Sequence, residues 1–180
     1  MKPGIGAGDR GDTRSLAGAM RKSDCLMHAT GDVDELNSLL GLARSRLEDK
    51  AIDETLHRVQ GELFLVGADL SGNSQRVTEQ HVQQLESDLR SAESELPTLQ
   101  NFILPAGPPA TALLHVARAA CRRAERSAFA LHEQRSRGQL AQTGVNPHAL
   151  SYLNRLSDLL FALARLAAKR AGAGDEPWKG

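Results

Sequence analysis

Aromatic residues, cysteines and long apolar runs are scarce in this chain of 180 residues. Phe, Trp and Tyr together make up 3% of the residues, which argues against an aromatic-rich β protein and against a platform for stacked bases. Cys25 and Cys121 are too few for a disulfide framework or a structural zinc site. No apolar run approaches the roughly 20 residues of a membrane-spanning helix. We therefore expect no membrane span, and the sequence assigns no role to Cys25, Cys121 or His28.

An excess of charge of one sign is also absent. The chain has 22 Lys and Arg residues against 22 Asp and Glu residues, so the charge balance indicates neither nucleic acid nor an anionic membrane as a partner. The opening sequence, MKPGIGAGDRGD, lacks the apolar segment of a signal peptide. Because 41% of the residues are hydrophobic and 24% are charged, we expect a folded, cytoplasmic protein.

Helix-forming residues dominate the rest of the chain, and apolar residues recur at spacings of three and four. This pattern predicts five amphipathic helices joined by short loops, the first capped by Asp32 with Glu35 as its capping partner. The predicted helices begin near residues 32, 52, 78, 109 and 147. The predicted fold is all-α, a five-helix antiparallel bundle.

The ends of the chain differ in composition from the bundle. We divide the sequence into a Gly-rich basic arm (1–31), a helical bundle domain (32–171) and a flexible C-terminal tail (172–180). The arm has two open interpretations. It is either a disordered tail or an anion-binding loop, in which glycines let backbone N–H groups approach phosphates.

The fourth predicted helix carries the clearest candidate site. His115, Arg118, Arg122 and Arg126 follow one another at helical spacings, so they lie on one face. Like charges at this spacing repel each other by a few tenths of a kcal/mol. Either acids from neighbouring helices neutralise them, or the face binds a phosphate or carboxylate.

Polar clusters on two other helices are candidate partners of this face. Asn154 and Asp158 share a face of the fifth helix, and Asp34 belongs to an acidic cluster on the first. If these helices are neighbours, Asp34 would pair with one arginine and leave another for a ligand. Glu54 and His57 form a lone Glu-x-x-His pair, whereas a di-iron bundle needs two, so we predict no resident metal centre.

Five segments together resemble the PduO-type ATP:cob(I)alamin adenosyltransferases. They occur in the order and spacing of that family and span most of the chain. The segments are GDVDELNSLLGLAR (31–44), QGELFLVGADL (60–70), FILPAG (102–107), LHVARAACRRAER (114–126) and YLNRLSDLLFALAR (152–165). The N-terminal stretch GAGDRGDTRSLAG (6–18) also resembles the ATP loop of this family.

The resemblance implies a homotrimer of five-helix bundles with active sites between adjacent subunits. It implies transfer of the 5′-deoxyadenosyl group of ATP to the cobalt of reduced cobalamin, with Mg²⁺ present and triphosphate released. Reduced cobalamin is itself the nucleophile, so such a protein aligns the reactants, excludes water and stabilises the leaving group. A reductase and an adenosylcobalamin-dependent acceptor enzyme are the further partners implied.

The resemblance also implies catalytic roles for four residues of this chain. Arg122 would contact the triphosphate, and Arg118 would pair with Asp34 across the subunit interface. Phe102 would face the corrin and displace its lower axial ligand.

Nucleotide binding is implied for a second set of residues. Glu125 and Asn154 would help to hold ATP and its magnesium, and Lys22 would wrap the phosphates together with the N-terminal loop. The loop residues are Gly8, Asp9, Gly11, Thr13 and Arg14.

The N-terminal loop departs from the family pattern at two places. Residues 5–9 read IGAGD where the family has Thr-(Lys/Arg)-x-Gly-Asp, and residues 25–31 read CLMHATG where it has Pro-Arg-Val-Glu-Ala-Tyr-Gly. The alternative function is therefore a paralogue that binds a corrinoid, another tetrapyrrole or an anionic ligand without adenosyl transfer. A helical interaction protein of unrelated chemistry is the third alternative.

Overall fold

Five helices and one short hairpin make up the secondary structure of the described chain. The computed structural model describes residues 9–15, 18–72, 74–138 and 144–179. The helices are α1 (Cys25–Arg44), α2 (Lys50–Ser71), α3 (Glu79–Ser94), α4 (Pro109–Ser136) and α5 (Pro147–Arg170), and the antiparallel strands are β1 (Asp12–Ser15) and β2 (Gly18–Arg21). The prediction of a five-helix, mainly α fold is confirmed.

Helix α1 begins at Cys25, earlier than its predicted start. Asp24 occupies the N-cap position, and the apolar face of the added turn buries Leu26 and Ala29. The predicted cap at Asp32 is therefore wrong, and the predicted boundary between arm and bundle falls inside a helix. The Asp32 carboxylate instead accepts hydrogen bonds from two side chains of α4.

The hairpin was not predicted because its strands are short and lack an alternating apolar pattern. Asp12 pairs with Arg21 and Thr13 with Met20. The Lys22 N–H donates to the Gly11 carbonyl at 2.7 Å and closes the base of the hairpin.

Contacts between side chains show the directions of the helices. Asn37 bonds to Gln60, and Arg44 to Asp53, so α1 and α2 are antiparallel. Helices α4 and α5 are also antiparallel. His115 packs against Phe161, whereas Glu125, further along α4, bonds to Asn154, which lies earlier on α5. Helix α3 runs parallel to α5, since Glu86 pairs with Arg155 and Glu95 with Arg170. Alternate helices of an up-and-down bundle, such as α3 and α5, run parallel, so the predicted antiparallel bundle is confirmed.

Helix α4 lies against both α1 and α5, and its small residues allow these neighbours to approach closely. The buried alanines on its packing face are Ala117, Ala120, Ala124 and Ala128. Leucines of all five helices complete the core. Within the described ranges, none of the helices combines the length and the apolarity required to cross a membrane.

The connection from α3 to α4, residues 95–108, is hydrogen-bonded to the C-terminal segment. Leu104 N–H donates to the Glu176 carbonyl, and Trp178 N–H to the Phe102 carbonyl, both at 2.8 Å. Ile103 forms an antiparallel bridge with Pro177. The tail predicted to be flexible is thus held in place over residues 173–179, because its backbone finds hydrogen-bond partners far away in sequence.

Gly107 sets the direction in which this connection enters α4. Its φ is 121°, a conformation that residues with a Cβ atom rarely adopt. A Cβ atom here would also lie 3.2 Å from Cγ2 of Thr111. The glycine therefore lets the loop turn sharply before the prolines that start the helix.

Candidate active site

A cavity of about 850 Å³ lies between α4, α5, the 95–108 connection and the C-terminal segment. One part of its wall is apolar and consists mainly of Phe102, Phe161 and Trp178. Phe102 is 82% exposed and Trp178 is 55% exposed, so both rings present their faces to solvent or to a ligand. The volume lies in the range of small-molecule and cofactor sites.

Two arginines of α4 form the basic part of the wall. Arg118 and Arg122 are four residues apart, and one helical turn places both on the cavity side. The guanidinium carbon of Arg118 lies 5.6 Å from the ring centre of Phe161, close enough for a cation–π interaction. Its buried Nε has no hydrogen-bond partner in the described part of the chain.

These two arginines are also without carboxylate partners among the described residues, where every ion pair involves other side chains. The Asp158 carboxylate lines the same cavity but forms no ion pair with either arginine, and crowding cations without a paired counter-charge is costly. The arrangement therefore fits a site for an anion.

Arg123 differs from its neighbours on α4 because acids of α1 neutralise it. It forms ion pairs with Glu35 and Asp32, and the hydrogen bonds that it donates to these carboxylates raise its pKa above the ordinary value. Arg123 lies beside the face of His115, Arg118, Arg122 and Arg126, and anion binding by that face stays a prediction. Arg123 stabilises the contact between α1 and α4, whereas Arg118 and Arg122 face the cavity.

Glu125 and Asn154 lie next to each other where α4 packs against α5. The sequence indicated the polar cluster of the fifth helix as a candidate partner of the fourth. Asn154 Nδ2 donates to Glu125 Oε1 at 2.8 Å. Its Oδ1 accepts from Arg155 Nη1 at 2.8 Å, and Arg155 in turn binds Glu86. The chain of bonds orients the amide, and the second carboxylate oxygen of Glu125 has no hydrogen-bond partner among the described residues.

His115 lies under the basic wall and is nearly buried, with 5% of its surface exposed. Burial lowers its pKa below the usual value, and the nearby Arg118 lowers it further. The imidazole is therefore neutral at neutral pH. It packs against Phe161 with the ring centres 6.1 Å apart, and its Nδ1 has no partner within the described residues.

The two cysteines are free thiols. Cys121 is buried and donates to the Leu153 carbonyl at 3.2 Å. Burial raises the pKa of its thiol far above the usual value, so the group stays protonated and is not a nucleophile. Cys25 is half-buried and packs against the core, and His28 is exposed on α1.

Asp34 does not reach Arg118 within one chain. It lines a separate cavity of about 460 Å³ on the α1–α2 side, next to Phe64, Arg44 and His57. Phe64 is 72% exposed. The pairing of Asp34 with Arg118 is therefore a matter for two subunits, and it stays a prediction.

The N-terminal candidates are described only in part. Asp9 and Lys22 are exposed, and Gly11 bonds to Lys22 through the backbone. Thr13 is half-buried within β1. None of these four residues lines the 850 Å³ cavity in the structure.

Two further candidates of the N-terminal loop are less completely described. Arg14 is described through its backbone, which pairs with Ala19. Gly8 lies outside the described residues.

Phe161 and Trp178 are site residues that the sequence did not identify as such. Phe161 occurs in the sequence only as part of the fifth predicted helix, and Trp178 lies in the tail predicted to be flexible. The one available signal was that Trp178 is the single tryptophan of the chain. Its place beside Phe102 depends on pairing between distant segments.

The sequence was compared with known families and proteins. Residues 5–167 match the model of the cobalamin adenosyltransferase family. The chain belongs to the cobalamin adenosyltransferase family. The corrinoid adenosyltransferase of Mycobacterium leprae is 42% identical over 174 residues, which cover 89% of this chain and 87% of that protein. The corrinoid adenosyltransferase of Bacillus subtilis is 37% identical over 183 residues, covering 97% of this chain and 91% of that protein.

Solved structures of the cobalamin adenosyltransferase family have the same fold. An arginine-to-lysine variant of the PduO-type ATP:corrinoid adenosyltransferase of Lactobacillus reuteri, complexed with ATP, superposes with a TM-score of 0.89 at 32% identity, covering 98% of this chain and 100% of that one. A phenylalanine-to-alanine variant complexed with cobalamin and ATP has a TM-score of 0.85 at 32% identity, with 97% of each chain covered. The resemblance inferred from the five sequence segments is confirmed.

Proposed function

We propose that this member of the family transfers the 5′-deoxyadenosyl group of ATP to the cobalt of reduced cobalamin and releases triphosphate. The observation that carries the proposal is the cavity in which an aromatic wall faces two arginines that form no ion pair with any described residue. Such a site suits a large, flat, apolar ring system beside a polyanion. Relatives named corrinoid adenosyltransferases, and a related structure complexed with cobalamin and ATP, support the assignment.

The reaction places few demands on acid–base groups. The cobalt of the reduced substrate donates an electron pair to C5′ of ATP, the Co–C5′ bond forms, and the C5′–O bond breaks. The electrons of that bond leave with the triphosphate. Because no proton is moved, a protonated Cys121 and a neutral His115 near the site are consistent with this chemistry.

Arg122 would stabilise the charge that develops on the leaving triphosphate. Its guanidinium lies on the cavity side, is not paired with a carboxylate of any described residue, and can present a planar pair of donors to phosphate oxygens. Interactions of this kind, made where charge develops, are among the largest contributions to catalysis.

Arg118 would complete the site with a residue from a second copy of the chain. Arg118 forms no ion pair with any described residue, and Asp34 is exposed on α1 beside a different cavity. An ion pair between Arg118 and Asp34 of the partner subunit would neutralise the guanidinium and bury the carboxylate. The active site would then lie between subunits, as the family resemblance implies.

Exposed apolar side chains support a homotrimer as the assembly. Monomeric proteins seldom leave many large apolar groups in contact with water on adjoining surfaces. Phe64, Leu42, Val116 and Phe129 are all exposed in the single chain. Light scattering on the purified protein measures the subunit number directly.

Phe102 and Trp178 would bind the corrin. The exposed ring of Phe102 offers neither a ligand for cobalt nor a place for ordered water, so it would disfavour a lower axial ligand. Trp178 and Phe161 extend the same apolar surface. Large aromatic faces of this kind contribute most of the burial energy in macrocycle binding.

Glu125 and Asn154 fit a nucleotide with its magnesium ion. The described residues contain no group of three or more His, Cys, Asp or Glu side chains able to hold a metal. Magnesium bound to nucleotides is often held by one or two carboxylates together with phosphate oxygens. Glu125, oriented by Asn154, would be that carboxylate.

The N-terminal segment would wrap the phosphates from outside the bundle. Lys22 supplies a cation, and Thr13 supplies a hydroxyl group for phosphate oxygens. Gly8, Asp9, Gly11 and Arg14 belong to the same proposed loop.

The chemistry also implies two protein partners and a compartment. A reductase must supply the reduced corrinoid, and an adenosylcobalamin-dependent enzyme must accept the product. The free thiols of Cys25 and Cys121 fit a reducing compartment, so we place the protein in the cytoplasm.

The decisive experiment supplies the purified protein with ATP, Mg²⁺ and chemically reduced cobalamin. We expect adenosylcobalamin to form, seen in its absorbance spectrum, together with an equal amount of triphosphate. Calorimetry with ATP and Mg²⁺ separates binding from turnover. Corrinoid binding without ATP binding or product would reject the transferase and favour the same-fold paralogue, in which the altered N-terminal loop has lost its nucleotide.

A further inference from the structure

We propose that Arg165 is a positioning residue that ties the C-terminal segment to the 95–108 connection and so places Phe102 and Trp178 at the cavity. The inference rests on the proposed function, because the cavity is taken as the corrin site. We call the backbone pairing of residues 102–104 with residues 176–178 the tail–loop junction.

The guanidinium of Arg165 bonds to both segments that form this junction. Its Nε donates to the Asp175 carboxylate at 3.0 Å, and its Nη2 lies 2.9 Å from the same group. Nη2 also donates to the Pro97 carbonyl at 2.8 Å. One side chain on α5 thus holds the segment that carries Trp178 and the start of the segment that carries Phe102.

Arg165 also reaches the cavity wall from behind. Its guanidinium carbon lies 6.0 Å from the ring centre of Phe161, whose ring in turn contacts Arg118. Arg165 itself does not line the cavity. It therefore acts through other residues and does not touch a ligand.

Among the described residues, two backbone hydrogen bonds and the bridge between Ile103 and Pro177 form the tail–loop junction. Its hydrogen bonds join two irregular segments, one of which is the end of the chain. Short isolated pairings of this kind are marginal in water without support. The ion pair between Arg165 and Asp175 lies close to the junction and provides that support.

The burial of Arg165 argues for a geometric role. Its side chain is 8% exposed and lies on a helix whose neighbouring residues are leucine and alanine. A buried ion pair costs desolvation energy and contributes little net stability. The planar guanidinium of an arginine, however, fixes the directions of the groups to which it bonds. Lysine retains the charge but cannot bond Asp175 and Pro97 in the same fixed geometry.

Asp175→Asn and Arg165→Lys are the test variants. Asp175→Asn lies outside the helical core, so it tests the junction even if the Arg165 variant folds poorly. Arg170→Met is the matched control, because Arg170 lies on the same helix and pairs with Asp49 and with Glu95, the first residue of the 95–108 connection, but with no described residue of the tail. Urea unfolding of each variant establishes that the bundle is intact.

The first readout uses Trp178, the single tryptophan of the chain, in the protein without ligand. We expect both test variants to raise iodide quenching of its fluorescence by about twofold, because local release of the tail exposes the indole. Arg170→Met should match the wild type. Unchanged quenching in both test variants would show that Arg165 does not hold the tail and would overturn the proposal.

The second readout compares the change in the KM for cobalamin with the change in the KM for ATP. We expect the KM for cobalamin to rise roughly tenfold and the KM for ATP to change by less than about twofold, because the junction lies on the aromatic wall. Equal rises in both KM values would indicate general disorder and contradict a positioning role. If the wild type makes no adenosylcobalamin, the proposed function fails, and the quenching experiment alone then decides the role of Arg165.

Discussion

The guanidinium of Arg118 lies over the ring of Phe161, 5.6 Å from its centre, and the buried Nε of Arg118 has no hydrogen-bond partner in the described chain. The aromatic ring holds the cation in place without neutralising it. The side chain is therefore ordered toward the cavity and still able to bond to an acidic group. This relationship joins the two halves of the wall, the aromatic half from α5 and the basic half from α4.

Arg122→Ala should remove most of the turnover and leave the fold intact. We expect kcat to fall by roughly 100-fold or more, since the variant loses a donor aimed at the leaving group. The melting temperature should change little, because Arg122 is exposed and has no ion pair among the described residues. Steady-state kinetics and circular dichroism measure the two effects.

Arg126→Ala is the matched control for Arg122→Ala. Arg126 lies one turn further along α4, is exposed, and bonds only to the backbone carbonyl of Arg122 among the described residues. The control should keep near wild-type rates. Full activity of Arg122→Ala would show that the carried-over role is wrong.

Phe102→Ala should impair the corrin half of the site selectively. Because Phe102 is largely exposed, its truncation should change stability by less than about 0.5 kcal/mol. We expect slower adenosylation and an absorbance spectrum of bound cob(II)alamin that shows the lower axial ligand retained. ATP affinity, measured by calorimetry, should be unaffected.

Leu104→Ala serves as the comparison for Phe102, since Leu104 belongs to the same connection and does not line the cavity. It should bind cob(II)alamin as the wild type does. A spectrum of Phe102→Ala identical to that of the wild type would remove the proposed role of the ring.

Mixing two inactive variants should restore activity if the site lies between subunits. Asp34→Ala and Arg122→Ala alter opposite sides of the proposed interface, so a mixed trimer contains some sites with both residues intact. At equal amounts and random exchange, about a quarter of the wild-type activity should return. The measurement is the rate after unfolding and refolding the two variants together.

Refolding each variant alone is the control for the mixing experiment and should give no recovery. If mass spectrometry confirms mixed trimers and the rate stays at the level of the separate variants, Asp34 and Arg122 do not serve a shared site.

Acid should destabilise the protein partly through His115. Burial lowers the pKa of this imidazole in the folded state, whereas the unfolded chain binds a proton near pH 6.5. The stability contributed by the neutral form is fully present above pH 6.5 and is lost as the pH falls through the folded-state pKa. The loss is at most about 1.4 kcal/mol per pH unit for one proton.

His115→Gln should flatten the dependence of unfolding free energy on pH between about pH 7 and pH 5. Urea unfolding at several pH values measures this dependence. His57→Gln, which alters an exposed histidine of α2, should leave the slope unchanged. Parallel slopes for wild type and His115→Gln would contradict the assigned cause.

The boundaries of four helices followed from local sequence. Helix α3 begins at Glu79, next to its predicted start near residue 78, and α4 and α5 begin at Pro109 and Pro147. Proline at the first helical position and apolar spacing of three and four are properties of a few adjacent residues. The start of α1 was predicted wrongly because Asp32 reads as a cap, whereas its partners lie on α4.

The amino-acid sequence by itself determined the helical class, the family, the arginine face of the fourth helix and the position of Phe102 in the connection before that helix. These features depend on periodicity and on motifs within single segments. Only the tertiary structure decided that Arg123 is neutralised while Arg118 and Arg122 face a cavity. It also decided that the end of the chain pairs with the segment of Phe102, because such pairing depends on which backbone groups the packed helices bring within hydrogen-bond distance.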